Sequence, residues 1–252
     1  MEVLKVERLM QSYGGLQVLY DVSFSLEAGE RVALIGPNGA GKTTLLNVLT
    51  GFVPPAAGRI TLLNQNVTKM PSNRRVSLGL ARSFQINTLF PRLSLLINVL
   101  LAIQGVQSTR FHWFRPIKTY TGNLTAAREL LELVNLWDER DSPVDVLSHG
   151  QQRQVEIVLA LASKPKLLLL DEPSAGLASG ESNNLIDMIH NLTKDTTVFF
   201  CAHDLDLVFT LADRVMVLYY GKIIASGTPE EIQDDPKVRE IYLGGKKEDA
   251  DA

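Results

Sequence analysis

The chain has 252 residues, 45% hydrophobic and 21% charged, a balance that supports a folded core and argues against wholesale disorder. Its formal net charge of −3 lacks the basic excess usual in nucleic-acid binders. No stretch approaches the roughly 20 apolar residues that span a bilayer, and the opening Met1-Glu2-Val3-Leu4-Lys5 lacks the layout of a signal peptide.

In chain order, Val22, Phe24 and Leu26 alternate with Ser23 and Ser25, the period of two of a half-buried strand. Ala28-Gly29-Glu30 then turns the chain into a short apolar run from Arg31 to Ile35. A glycine-rich loop from Gly36 to Gly41 precedes a helix expected over Lys42 to Thr50, with Gly51 placed as its stop. From Phe90 to Leu147 the pattern is leucine-rich and helical, and Ala127, Leu130, Leu131 and Val134 share one face. Residues 105–122, holding Phe111-His112-Trp113-Phe114-Arg115-Pro116, read as an insertion at the tip of a helical subdomain.

A further helix is expected from Ser148 to Ser163, ended by Lys164-Pro165. Apolar runs at 166–170, 197–202 and 214–219 alternate with helices, which predicts a parallel sheet covered on both faces. Thr228-Pro229-Glu230-Glu231 combines an N-cap threonine, a proline at the first helical position and a glutamate at the third, so a last helix starts there. The tail, 246–252, has a disordered composition. Cys201, the only cysteine, cannot form an internal disulfide and is expected to pack within its strand.

Two motifs carry chemistry. Gly36-Pro37-Asn38-Gly39-Ala40-Gly41-Lys42-Thr43-Thr44 fits G-x-x-x-x-G-K-[ST], in which backbone N–H groups and a helix N-terminus converge on phosphate oxygens. Lys42 would reach the β- and γ-phosphates of a nucleotide, and the Thr43 hydroxyl would ligate Mg²⁺. The strand–loop–helix order weighs against an incidental glycine turn. Leu167-Leu168-Leu169-Leu170-Asp171-Glu172 ends a buried strand in two carboxylates, at the sheet edge where open α/β folds bind ligands. Asp171 would hold Mg²⁺ through water, and Glu172 would orient and polarise the attacking water. Alone, such a pair reads as a solvated strand end; the phosphate loop in the same chain overrules that reading.

Between these motifs lies Leu147-Ser148-His149-Gly150-Gln151, physically a serine N-cap with a flexible glycine. With it the chain resembles the ABC ATPases, whose signature takes the L-S-x-G-Q form. The resemblance covers nearly the whole chain. It implies an α/β fold: a P-loop NTPase core with a parallel sheet, an N-terminal antiparallel β subdomain and an inserted helical subdomain. A single domain of residues 1–245 would divide into a nucleotide-binding core (1–89 and 148–245) and the helical subdomain (90–147).

The resemblance also implies ATP and Mg²⁺ as cofactors, with Glu172, His203 and Lys42 catalytic. Nucleotide contacts would come from Tyr13, Gly36, Pro37, Asn38, Gly39, Ala40, Gly41, Lys42, Thr43, Thr44, Gln85, Ser148, Gly150 and Gln151. Metal contacts would come from Thr43, Gln85 and Asp171. Tyr13 sits where the family stacks a ring on adenine, and a surface tyrosine in a Tyr-Gly-Gly turn is the lesser reading. Gln85, in Arg82-Ser83-Phe84-Gln85, matches the glutamine that senses Mg²⁺ and the γ-phosphate and abuts the membrane partner. His203 follows a strand as the family's switch histidine does; His112, His149 and His190 match no such role. In the family the signature faces the phosphate loop of a second subunit, so Ser148 and Gly150 would complete that subunit's ATP site. One departure stands out: Ser174-Ala175-Gly176-Leu177-Ala178 carries no aspartate where many relatives have one, so communication between the two sites is expected to differ.

The length, the Ser-His-Gly-Gln signature, Arg-Ser-Phe-Gln, the helical insertion and the ending Ile241-Tyr242-Leu243-Gly244 resemble one branch, the ATPases of branched-chain (hydrophobic) amino acid importers. That branch implies a homodimer or heterodimer of ATPase subunits, integral membrane permease subunits, a solute-binding protein, no nucleic acid, and a peripheral place on the cytoplasmic face of the inner membrane. Relatives that import urea or extract lipopolysaccharide share the length and parts of the ending. Soluble ABC ATPases acting on nucleic acid or ribosomes usually carry paired cassettes, coiled coils or basic segments, and none is visible.

Overall fold

The computed structural model describes residues 1–83, 89–107, 121–177, 179–192 and 195–243. Gln85, Ala178, most of the expected insertion and the tail therefore lie outside the described residues.

Two sheets carry the fold. Strands β1 (Glu2–Tyr13) and β2 (Leu16–Glu27) form a long hairpin turned at Gly14-Gly15, and β4 (Ala57–Leu62) and β5 (Gln65–Asn66) extend it in the order β2-β1-β4-β5. Every pairing in it is antiparallel. The alternation seen around Val22 thus belongs to a strand of 12 residues with a partner equally long. Leu4, Val6 and Leu9 of β1 and Leu19, Val22 and Leu26 of β2 are all buried, as one face of a pleated sheet requires.

The second sheet runs β10-β9-β3-β8-β7-β6. Strands β3 (Arg31–Ile35), β6 (Leu80–Arg82), β7 (Leu167–Asp171), β8 (Thr197–Cys201) and β9 (Arg214–Tyr219) are mutually parallel, and β10 (Lys222–Gly227) adds an antiparallel edge. Alternate residues of these strands enter two different cores. Leu168, Leu170, Val198, Phe200, Val215 and Val217 pack on one side with α3 (Leu95–Gly105), α5 (His149–Leu161) and α7 (Leu205–Leu211). Leu167, Leu169, Phe199, Cys201 and Met216 face the other side, against α1 (Lys42–Thr50) and the antiparallel sheet. Phe24 stacks on Phe199 with centroids 5.7 Å apart, joining the two sheets. Burial on both faces is why these strands read as continuous apolar runs. Cys201 is fully buried strand packing, and that burial pushes its thiol pKa up.

The remaining helices cover the sheet: α2 (Ser72–Ser77), α4 (Thr121–Leu133), α6 (Ser179–His190), α8 (Pro229–Asp234) and α9 (Pro236–Leu243). On α4, Ala127 and Leu131 are fully buried, with Leu130 packed beside them, as their spacing predicts. Thr228 and Glu231 form the expected capping box at the start of α8. Among the described residues no helix is long and apolar enough to cross a membrane.

Because the central strands are parallel, their carboxyl ends share one edge. Gly36 follows β3, Asp171 closes β7 and His203 follows β8, so residues far apart in sequence reach the same rim.

Candidate active site

The rim is built around the loop that leaves β3. Gly36 has φ 158°, and a Cβ there would collide with the carbonyl oxygen of Leu218 on β9. Gly39 and Gly41 have φ of 80° and 108°, conformations that disfavour any side chain. Gly41 also caps α1 without a side-chain hydrogen bond, and no acidic residue sits in the first turn. The first N–H groups of α1 thus keep their donors, and the positive end of the helix dipole, for a ligand anion. The loop is braced from outside: Gly221 N–H, in the β9–β10 turn, donates to Ala40 O at 2.9 Å, and Tyr20 N–H of β2 donates to Gly221 O at 2.9 Å.

Lys42 is buried, and its Nζ donates to Gly36 O at 2.7 Å and Pro37 O at 3.1 Å, which holds the ammonium over the concave side of the loop. Burial lowers its pKa, against the opposing pull of Glu172 and Asp171. Thr43 is exposed in the first turn of α1. Tyr13 ends β1 with its ring half exposed, on the hairpin whose second strand brings Val18 and Leu19 against Gly41.

Asp171 is buried, and its Oδ2 accepts from Arg82 Nη2 at 2.8 Å. Glu172, the next residue, has φ 47°, a left-handed conformation that costs a non-glycine residue about 1–2 kcal/mol. Several bonds fix it there. Its N–H donates to Cys201 O at 2.9 Å, and Arg153 Nη2 of α5 donates to Asp171 O at 2.7 Å and Glu172 O at 3.3 Å. Arg153 Nε reaches Pro173 O at 3.3 Å, and its Nη1 pairs with Glu156 at 2.7 Å. The result aims the Glu172 carboxylate at His203, with Oε1 2.7 Å from Nε2.

The donors suit the expected metal. Among the described residues no cluster of His, Cys, Asp and Glu is large enough to cage an ion. A threonine hydroxyl and one carboxylate beside a phosphate-binding loop are hard oxygen donors of the kind that take Mg²⁺ together with its waters and substrate phosphates.

The signature residues form a separate group. Ser148 caps α5: its Oγ accepts from Gln151 N–H at 3.2 Å while Gln151 Oε1 accepts from Ser148 N–H at 2.9 Å. Ser148 Oγ also donates to Glu181 Oε1 at 3.0 Å. Among the described residues no hydrogen bond joins Ser148, Gly150 or Gln151 to the phosphate loop of the same chain. The structure therefore unites Lys42, Asp171, Glu172 and His203 on one rim, and the helix opened by the signature borders that rim at Glu172 through His149, Gln152 and Arg153. His190 serves the frame, with its carbonyl accepting from Arg31 at 3.1 Å. A cavity of about 800 Å³ lined by Leu130, Leu133 and Lys166 among others includes no residue of this rim.

Sequence reasoning missed Arg82, Arg153 and Glu181. Arg82 lies in the Arg-Ser-Phe-Gln stretch, where the resemblance to the family speaks only to the glutamine. The available signal was an arginine ending an apolar strand, since a buried charge requires a partner.

The ABC transporter family pattern matches residues 19–175, and that of the branched-chain amino acid ATP-binding cassette transporters matches residues 222–248. The high-affinity branched-chain amino acid transport ATP-binding protein LivG of Salmonella typhimurium is 36% identical over 249 residues, covering 96% of this chain and 98% of the relative. BraF of Pseudomonas aeruginosa, described in the same terms, is 36% identical over 251 residues with coverage of 96% and 98%. Among solved structures, the ADP conformation of MJ1267, an ATP-binding cassette of an ABC transporter, has a TM-score of 0.86 at 32% identity, over 97% of this chain and 99% of that one. A nucleotide-free cassette from an ABC transporter has a TM-score of 0.83 at 32% identity, over 96% and 99%. A family match over more than half the chain, together with relatives 36% identical along nearly all of it, places this protein among the ATP-hydrolysing ATP-binding subunits of the ABC transporter family.

Proposed function

We propose that this chain is the ATP-binding and ATP-hydrolysing subunit of an importer for branched-chain or other hydrophobic amino acids. The observation that carries the hydrolytic part is the Glu172–His203 contact on the rim that holds Lys42. The substrate class rests on relatives named for branched-chain amino acid transport and on the match at residues 222–248.

Lys42, the N–H groups of the loop from Gly36 to Thr44 (all but Pro37, which has none) and the amino end of α1 bind the β- and γ-phosphates. Tyr13 offers a ring to adenine. Thr43 and Asp171 are the residues that would hold Mg²⁺, which when bound neutralises charge on the phosphate oxygens. Glu172 accepts the proton of a water that attacks the γ-phosphorus, while the bond from that phosphorus to the β-phosphate bridging oxygen breaks. His203 donates to the Glu172 carboxylate and keeps it oriented. Gln85, whose place is outside the described residues, is proposed to sense the metal and γ-phosphate.

Membership of the ABC family supports a site shared between two ATPase subunits, each lending Ser148, Gly150 and Gln151 to the other. A homodimer or a heterodimer serves this arrangement. Within each subunit, residues 1–89 and 148–245 form the nucleotide-binding core and 90–147 the helical subdomain. Permease subunits and a solute-binding protein complete the machine, with this chain peripheral on the cytoplasmic face of the membrane. The test is reconstitution with the permease from its own membrane. ATP turnover stimulated by a binding protein loaded with leucine or valine is expected; stimulation by urea, or co-purification with ribosomes, would overturn the reading.

A further inference from the structure

Arg82 closes the edge strand β6, with its side chain nine-tenths buried and its guanidinium bonded to residues of β7 and α1. Nη2 donates to Asp171 Oδ2 at 2.8 Å, and Nη1 donates to Asn47 Oδ1 at 2.7 Å. Asn47 lies on α1 four residues after Thr43, so the two share one helix face. The planar fork of one arginine therefore ties the helix face that carries Thr43 to the strand end that carries Asp171. A buried ion pair is a poor device for stability, because apolar side chains of similar volume do as well or better. A rigid fork is, however, suited to fixing the distance and orientation of two groups. Its bond to Oδ2 also leaves the other oxygen of Asp171 as the one without an arginine.

We propose that Arg82 is a positioning residue for the metal: it sets Thr43 against Asp171 and thereby the magnesium dependence of nucleotide binding. The inference rests on the reading that Thr43 and Asp171 hold Mg²⁺. Lysine at this position keeps the charge without the fork, and methionine removes both.

The experiment measures ADP affinity of the full chain in excess Mg²⁺ and in EDTA for wild type, Arg82→Lys, Arg82→Met, Asn47→Leu and Asp171→Asn, with thermal unfolding of each. Arg82→Lys and Arg82→Met are expected to lose about tenfold of the Mg²⁺-dependent gain in affinity, the usual effect of losing a group that orients a metal ligand, while affinity in EDTA stays within about twofold of wild type. Asn47→Leu should show a smaller loss of the same kind, and Asp171→Asn should lose most of the gain. If the Arg82 variants keep the full gain while Asp171→Asn loses it, the role of Arg82 is wrong and the metal reading stands. If Asp171→Asn keeps the gain, the metal reading fails and this inference with it. Equal losses in Mg²⁺ and EDTA would mark Arg82 as a purely structural residue. Should Arg82→Met fail to fold, Arg82→Lys and Asn47→Leu decide the question alone.

Discussion

Glu172 and His203 meet at 2.7 Å although 31 positions separate them, because Asp171 and Cys201 are paired neighbours on β7 and β8 and both chains leave the sheet on the same side. A carboxylate held against an imidazole on the phosphate rim is placed to manage a water. Glu172→Gln keeps the size and removes the base, so turnover should fall about a hundredfold to ten-thousandfold while ATP still binds. Size-exclusion chromatography in ATP and Mg²⁺ should then reveal an accumulated dimer. Wild-type turnover in Glu172→Gln would remove the assignment.

The left-handed backbone at Glu172 gives a second expectation. Glycine accepts φ 47° freely and alanine does not, so Glu172→Gly should be more stable than Glu172→Ala by about 1 kcal/mol. Both lack the carboxylate, which separates backbone strain from lost contacts. Urea unfolding of the two variants measures the difference, and equal midpoints would mean the strain is absent.

Arg153 is what holds that strained corner. It bonds three successive carbonyl groups, of Asp171, Glu172 and Pro173, and pairs with the buried Glu156. Arg153→Met leaves the Glu156 carboxylate buried without its ion-pair partner and should cost about 3 kcal/mol of stability. Turnover should fall as well, because Glu172 loses its anchor. Arg153→Met with Glu156→Leu should recover part of the stability and none of the turnover, which denaturant midpoints and ATPase rates would show.

How much of this was legible in sequence depended on how local each feature is. Lys42–Thr50 with its left-handed Gly51 stop, the apolar strands and the capping box at Thr228 are set by neighbouring residues, and each lies where its pattern indicated. Strand β1 was harder. Register shifts at Val6–Leu9 and a positive φ at Arg8 break the alternation that would have marked it. Arg82 and Asp171 stand 89 positions apart, and nothing in either segment names the other as a partner. The same holds for Glu181, which meets Ser148 from 33 positions away.

Lys42 supplies a prediction about protons. Burial lowers its pKa below the ordinary 10.5, so in the free protein it begins to lose its proton at a lower pH than an exposed lysine. A bound triphosphate favours the charged form and raises the pKa again. Between the lowered and the raised values the complex binds more protons than the free components, so ATP binding on the alkaline side of neutrality should be accompanied by proton uptake, and affinity should fall as pH rises. Isothermal titration at alkaline pH values below 10.5, in two buffers of different ionisation enthalpy, reads the uptake directly. Lys42→Met should show none, and uptake unchanged in that variant would assign the proton to another group.

The Glu181 side chain occupies the space beside the signature glycine. A Cβ added to Gly150 would fall on the Glu181 carboxylate, whose Oε1 already accepts from Ser148 Oγ at 3.0 Å. Gly150→Ala should push the Glu181 carboxylate aside and break its bond to Ser148, which offsets the gain of alanine in a helix, and Glu181→Ala should restore that gain by removing the atoms in the way. The two changes are expected to be non-additive by about 1 kcal/mol or more, as contacting residues are. The same pair bears on function. A serine proposed to receive a γ-phosphate here gives its hydroxyl to an anion, and like charges disfavour each other's approach. Glu181→Ala should thus lower the ATP concentration at which the Glu172→Gln dimer forms, whereas Ser148→Ala should raise it. Sedimentation across an ATP series reads both shifts. If Glu181→Ala weakens the dimer instead, the carboxylate orients Ser148 for its partner and does not compete with phosphate.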